Sequence, residues 1–133
     1  MDIKTILATE DPIELSYELQ DYLYNLTKQG TDLSMLSKEA RNVFLCNEWN
    51  SYANSGNLTN FFADKTPEIV EETAEAYKTI AGDQISQLVA DAIQSKDDEN
   101  KLNDLKMQFL YHQGELEEAM FNYVMNNKQA FIE

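Results

Sequence analysis

Apolar residues recur about every 3.6 positions along most of the chain, the spacing that places side chains on one face of an α-helix. Leu15, Leu19 and Leu23 belong to the first such stripe, and a later stripe that begins at Ala40 includes the polar residue Asn47. No segment alternates between apolar and polar residues for long enough to indicate a strand. The pattern predicts six main helices, over residues 12–29, 37–54, 67–81, 84–95, 99–112 and 115–131, and a short helix over residues 58–63.

Glycines and prolines mark the ends of these segments. Gly30, Gly56, Gly82 and Gly114 fall at the predicted breaks, where a residue that tolerates positive φ ends a helix at little cost. Pro12 follows an aspartate and Pro67 follows a threonine, the arrangement typical of a helix start. We therefore predict one all-α bundle of about six main helices plus a short helix, forming a single domain over residues 1–133.

Composition and charge narrow the classes of partner. The chain has 133 residues, of which 43% are hydrophobic, so it is too apolar for a disordered acidic tail. Its 24 acidic and 10 basic side chains give a net charge of -14. Phosphate backbones and anionic lipids are bound mainly by Lys and Arg, so the charge disfavours direct contact with nucleic acid or membranes and favours a basic protein partner.

The amino-terminal stretch and the cysteine content bear on the compartment. Residues 1–12 hold only a three-residue apolar run, which predicts neither a signal peptide nor a membrane span. Cys46 is the only cysteine, so no internal disulfide forms. Together these features favour a reducing cytoplasm.

The residues that carry enzyme chemistry are scarce. The chain has one histidine, His112, which we expect to cap the end of a helix, where a partial positive charge suits the helix dipole. It has one cysteine, Cys46, which we expect to be a buried and inert thiol. A di-metal bundle needs Glu-x-x-His on two helices, and Phe109 stands three positions before His112. The sequence offers no EF-hand or phosphate-binding glycine loop. We predict no catalytic residue, no metal site and no cofactor.

Acidic side chains recur at helical spacing in two of the predicted helices. One stripe consists of Glu14, Glu18 and Asp21, and the other consists of Glu68, Glu71, Glu72 and Glu75. Neither stripe has a base four positions further along its own helix, and only Lys78 offers a weaker contact near the end of the second stripe. Like-charge pairs at this spacing cost a few tenths of a kcal/mol each. Two interpretations follow. The stripes are either a solvated face or a partner-binding acidic surface that a nucleic-acid-binding groove would accept in place of phosphates.

One short stretch resembles a known signature. Residues 55–62, SGNLTNFF, resemble the Asn-Gly-Gly-Phe-x-Gln-Phe-Phe motif of a family of small, acidic, all-helical bacterial proteins catalogued as a domain of unknown function, with a DNA mimic among its members. Residues 75–82, EAYKTIAG, resemble its Ala-Leu-x-x-Ile-Gly-Ala helix end with the last two residues exchanged. The resemblance covers roughly residues 36–131. Asn57, Leu58 and Asn60 depart from the motif, which weakens the transfer of a ligand role.

The resemblance implies binding rather than catalysis. Its characterised DNA mimic is a dimer whose acidic surface occupies the DNA site of a transcription factor. The resemblance therefore implies a basic DNA-binding protein as the partner. It also leaves two oligomeric states open, a homodimer and a monomer. The alternatives are an immunity-type protein that neutralises a toxin, and a small-ligand binder or enzyme that uses the signature corner. That corner comprises Asn54, Gly56, Asn57, Asn60, Phe61 and Phe62. We interpret it as a structural hinge, because Gly and Asn best tolerate left-handed backbone, and we expect the two phenylalanines to anchor the short helix.

Overall fold

The structure, a computed structural model, describes residues 2–55 and 58–132. Within these ranges the chain is all-α and has no strand, which confirms the predicted fold class. The helices are α1 (Ile3–Leu7), α2 (Pro12–Lys28), α3 (Lys38–Asn54), α4 (Leu58–Asp64), α5 (Pro67–Gln94), α6 (Glu99–Tyr111), α7 (Gln113–Asn126) and α8 (Lys128–Ile132), with a 3-10 turn at Leu33–Met35.

Side-chain caps begin most of the longer helices. The carboxylate of Asp11 accepts a hydrogen bond from the backbone N–H of Ile13 at the start of α2, and Thr66 caps α5 through the N–H of Ile69. Each capping residue precedes a proline, as the sequence predicted. Asp98 caps α6 in the same way through the N–H of Lys101. The helix starts are therefore encoded locally.

A sharp break at Gly82 divides α5. Gly82 has φ 80° and ψ -174°, a backbone conformation that is essentially restricted to glycine. Ala74 and Ala90 line one groove although they stand on opposite sides of the break, so the second half of α5 folds back along the first. The two helices predicted over 67–81 and 84–95 correspond to these halves.

The core is built around Trp49 of α3. Its ring lies 5.0 Å from that of Phe61 and 6.3 Å from that of Phe109, both edge to face. Tyr77 of α5 is also buried against it, and the Tyr77 hydroxyl donates a hydrogen bond of 2.8 Å to the carbonyl of Cys46. Helices α3, α4, α5 and α6 thus meet at one aromatic cluster.

Two local predictions were wrong, and one short helix was not predicted. Gly114 does not end a helix, because α6 ends at Tyr111 and Gly114 lies in the first turn of α7. The helix predicted over 115–131 is interrupted at Asn127, whose side-chain amide donates to the carbonyl of Tyr123 and so competes with the helical bonding. The short helix α1, which buries Ile6 and Leu7, was not predicted.

Candidate acidic binding surface

All four glutamates of the α5 stripe line one open groove of about 570 Å³. Its floor includes Ala74 and Ala90 from the two halves of α5, and Lys38 stands at one side. Glu68, Glu71 and Glu75 are exposed, and no ion pair involves them among the described residues. The groove therefore presents three free carboxylates beside a small apolar strip.

Glu72 differs from the other three. Its carboxylate accepts two hydrogen bonds from the guanidinium of Arg41 on α3, one of them 2.7 Å from Nη2 to Oε1. Hydrogen bonding to Arg41 holds the pKa of Glu72 below its ordinary value. The expectation that the whole stripe is unpaired is wrong at this position. Arg41 lies on another helix, so no rule about neighbours on the same helix reveals the pair.

The α2 stripe lies elsewhere on the surface. Glu14 and Asp21 are exposed, whereas Glu18 is half-buried and accepts a hydrogen bond from the Thr9 hydroxyl, 3.1 Å away. Glu18 and Asp21 line a cleft of about 460 Å³ beside α1. This cleft shares no lining residue with the α5 groove. The structure thus places the two predicted acidic stripes at separate grooves, and Glu14 lines neither of them.

The signature corner is only partly described. Gly56 and Asn57 lie outside the described residues, so the hinge predicted there stays a prediction. Asn54 is the last residue of α3, and its side-chain amide donates to the carbonyl of Asn50, 2.8 Å away. Asn60 is exposed. The nearby cleft of about 370 Å³ between α4 and α6 is lined by Leu58 and Thr59 but by neither of these asparagines.

The two phenylalanines of the corner anchor α4, as expected. Phe61 is fully buried, and Phe62 is half-buried with its ring 5.9 Å from that of Trp49. Tyr52 adds a further edge-to-face contact with Phe61, at 5.5 Å. These side chains therefore act in packing.

The cysteine and the histidine, two residue types often used in catalysis, lie in places where packing and helix ends account for them. Cys46 is fully buried, and burial raises the pKa of its thiol well above the ordinary value, which opposes formation of a reactive thiolate. His112 separates α6 from α7, with Nδ1 3.2 Å from Oε2 of Glu115. Within residues 2–55 and 58–132, no group of three or more His, Cys, Asp or Glu side chains is arranged to hold a metal ion.

Comparison with known proteins adds no neighbour. No family model, curated protein or solved structure matches the chain. None of the described helices is both long enough and apolar enough to cross a membrane. The fold and the charge distribution therefore carry the functional argument.

One feature of the surface was missed in the sequence. A cleft of about 290 Å³ between α2 and α3 is lined by Asp21, Phe44, Asn47 and Glu48, among others. Asn47 occupies an otherwise apolar stripe. A polar residue at a core-facing position is the sequence feature that could have indicated this cleft.

Proposed function

We propose that this chain is a non-enzymatic acidic binding domain that occupies the nucleic-acid site of a basic DNA-binding protein. The observation that carries the proposal is the row of three exposed glutamates, Glu68, Glu71 and Glu75, along the α5 groove. Such a row is attractive to lysine and arginine side chains. The net charge of -14 extends that attraction beyond the groove.

The spacing of the row supports mimicry of a phosphate backbone. Successive members are separated by about 4.5 and about 6 Å of helix axis, at about 1.5 Å per residue. One strand of duplex DNA carries a phosphate every 3.4 Å or so of its axis. The two charge densities are of the same order, so a groove lined with basic side chains would find several counter-charges within its reach.

The form of the groove also supports a macromolecular partner. It is broad and open, and Ala74, Ala90 and Ile93 line it together with the carboxylates, which adds apolar contact area. Interfaces commonly combine an apolar centre with a charged rim, and the charges set orientation and association rate. A partner with basic side chains around a small apolar patch would fit this surface.

The test is capture followed by competition. The tagged chain is incubated with a lysate of its native cells at about 0.1 M and about 1 M salt, between which the Debye length falls from about 10 to about 3 Å. A captured protein is purified, and its binding to DNA is measured with and without the chain. We expect a basic DNA-binding protein that is captured at low salt, lost at high salt and displaced from DNA by the chain.

Matched variants separate the groove from the overall charge. The triple variant E68Q/E71Q/E75Q removes three negative charges and leaves the Arg41–Glu72 pair intact. The control D97N/D104N/E118Q removes the same number of charges at exposed positions that do not line the α5 groove. The proposal requires that the first variant lose displacement of DNA and that the second keep it. Equal behaviour of the two variants, or capture that is insensitive to salt, would refute it.

A further inference from the structure

The cleft between α2 and α3 combines charge, aromatic surface and a buried amide. Its volume of about 290 Å³ lies at the lower end of the roughly 300–1,000 Å³ typical of ligand pockets. This size suits a single long side chain better than a cofactor. The cleft shares Asp21 with the predicted acidic surface on α2.

Asn47 is the most informative lining residue. It is only 6% exposed, and its side chain makes no hydrogen bond to any residue in the described ranges. Among the described residues, the fully enclosed side-chain atoms without a hydrogen-bond partner are Trp49 Nε1 and His112 Nδ1, so the Asn47 amide remains accessible at the cleft that it lines. Because Asn47 lines the cleft and its amide bonds to no described side chain, a ligand that enters the cleft can form a hydrogen bond with it.

The other lining groups select for a cation. Asp21 is exposed and takes part in no described ion pair, and Glu48 uses Oε1 to bind Lys65 Nζ at 3.1 Å. The rings of Tyr24 and Phe44 also line the cleft. One of these rings already contacts a cation, since Lys28 Nζ lies 5.4 Å from the centroid of the Tyr24 ring. Carboxylates, an amide oxygen and ring faces are the groups that a guanidinium binds best.

We infer that the α2–α3 cleft is a socket for one arginine side chain of the basic protein partner, with Asp21 and Asn47 as its main hydrogen-bonding groups. The inference rests on the proposed function for the nature of the partner. The planar guanidinium donates N–H groups to the Asp21 carboxylate and to the Asn47 carbonyl while its face lies against a ring. A lysine ammonium lacks the planar fork and is more strongly hydrated, so it fits less well.

The socket is tested with small probes, independently of any partner. Nα-acetyl-arginine methylamide and its lysine counterpart are titrated into the full-length 15N-labelled chain, and chemical shifts are followed. We expect the arginine probe to shift the Asn47 side-chain amide together with the backbone amides of Asp21 and Glu48. The lysine probe should bind at least about threefold more weakly.

Variants locate the binding and guard against misfolding. Asp21→Asn changes an exposed residue, and Asn47→Leu removes the amide at similar volume. Each should weaken binding of the arginine probe at least about threefold, while the exposed Asp104→Asn on α6 should not. Equal shifts with both probes, spread over many acidic residues, would overturn the socket. So would full binding by Asp21→Asn.

The same variants separate this inference from the proposed function. Suppose that Asp21→Asn and Asn47→Leu capture the partner and displace it from DNA normally, whereas E68Q/E71Q/E75Q does not. The socket is then refuted and the proposed function stands. If the arginine probe binds as expected and no DNA-binding partner is captured, the socket stands and the proposed function is refuted.

Discussion

Arg41 on α3 and Glu72 on α5 form a two-point ion pair that joins the two helices. Nη2 of Arg41 lies 2.7 Å from Oε1 of Glu72, and Nε of Arg41 binds the other oxygen. Both side chains are 23% exposed, so water screens the pair less than an ordinary surface pair. The pair fixes one edge of the acidic groove to the body of the bundle.

Removing the charge of Glu72 should destabilise the fold. Glu72→Gln is expected to lower the free energy of unfolding by about 1 kcal/mol at pH 7, because the neutral amide cannot replace a charge-assisted pair. The pKa of Glu72 is lowered by its hydrogen bonds to Arg41, so this stability is present above the ordinary carboxyl pKa and is lost as pH falls through the lowered value. Urea unfolding at pH 7 and pH 3 measures the difference.

The neighbouring Glu71 provides the control. It is exposed and lines the same groove, but it belongs to no ion pair among the described residues. Glu71→Gln should change stability by no more than a few tenths of a kcal/mol, with a small gain from reduced repulsion. An equal loss in both variants would show that the Arg41 contact is unimportant.

A substitution at the break in α5 should be costly for backbone reasons alone. Gly82 has a φ of +80°, and a Cβ added there meets no atom within 4 Å. Gly82→Ala is therefore expected to destabilise the protein by about 1–3 kcal/mol through strain rather than through a clash. Thermal or urea unfolding measures this cost.

Gly114 is the matched control for that experiment. It is helical, and a Cβ added there also meets nothing within 4 Å. Gly114→Ala should raise stability by about 0.5–1 kcal/mol, since alanine has the higher helix propensity. If both alanine variants shifted stability in the same direction, the claim that the backbone conformation of Gly82 requires glycine would be contradicted.

Much of the fold could be predicted because its signals are local. The Asp11-Pro12 and Thr66-Pro67 starts and the break at Gly82 each depend on residues within one turn. Gly114 was misread because glycine marks a break only when its backbone leaves the helical region, and sequence does not report φ. The short helix α1 was missed because five residues are too few for a periodic signal.

The candidate site could be predicted only in part, because its pairings are long-range. The regular spacing of Glu68, Glu71 and Glu75 was visible along one helix, and the structure places these residues in one groove. The partner of Glu72 stands 31 positions away, beyond any rule for neighbouring turns. The division of the acidic stripes between two grooves depends on how the helices pack, which composition does not encode.

The Cys46 thiol should report global unfolding. It is fully buried in α3, and burial raises its pKa, so both access and thiolate formation are suppressed in the folded protein. Labelling with a thiol reagent should be at least about a thousandfold slower in the native chain than in the denatured chain. Because Cys46 is the only cysteine, the signal is unambiguous. Rapid labelling under native conditions would contradict the position of α3 in the core.

Tyr52 should titrate unusually late. Its hydroxyl donates a hydrogen bond to Oδ2 of Asp64, 2.7 Å away, and this contact raises the pKa of Tyr52 to about 12. The cause is that ionised Tyr52 would lose the donor and face the carboxylate as a second anion. Since the folded pKa exceeds the ordinary value of 10.0, the stabilising contribution is complete below that pH and is lost as pH rises through the folded value.

Asp64→Asn tests this pairing directly. Without the carboxylate, the pKa of Tyr52 should return toward its ordinary value, because neither the charge-assisted hydrogen bond nor the anionic repulsion remains. A 13Cζ NMR titration of the tyrosines measures the pKa, and Tyr52→Phe assigns the resonance. Asp104→Asn, at an exposed position on α6, should leave that titration unchanged. A Tyr52 pKa that stays near 12 in Asp64→Asn would mean that the hydrogen bond between the end of α3 and α4 is not its cause.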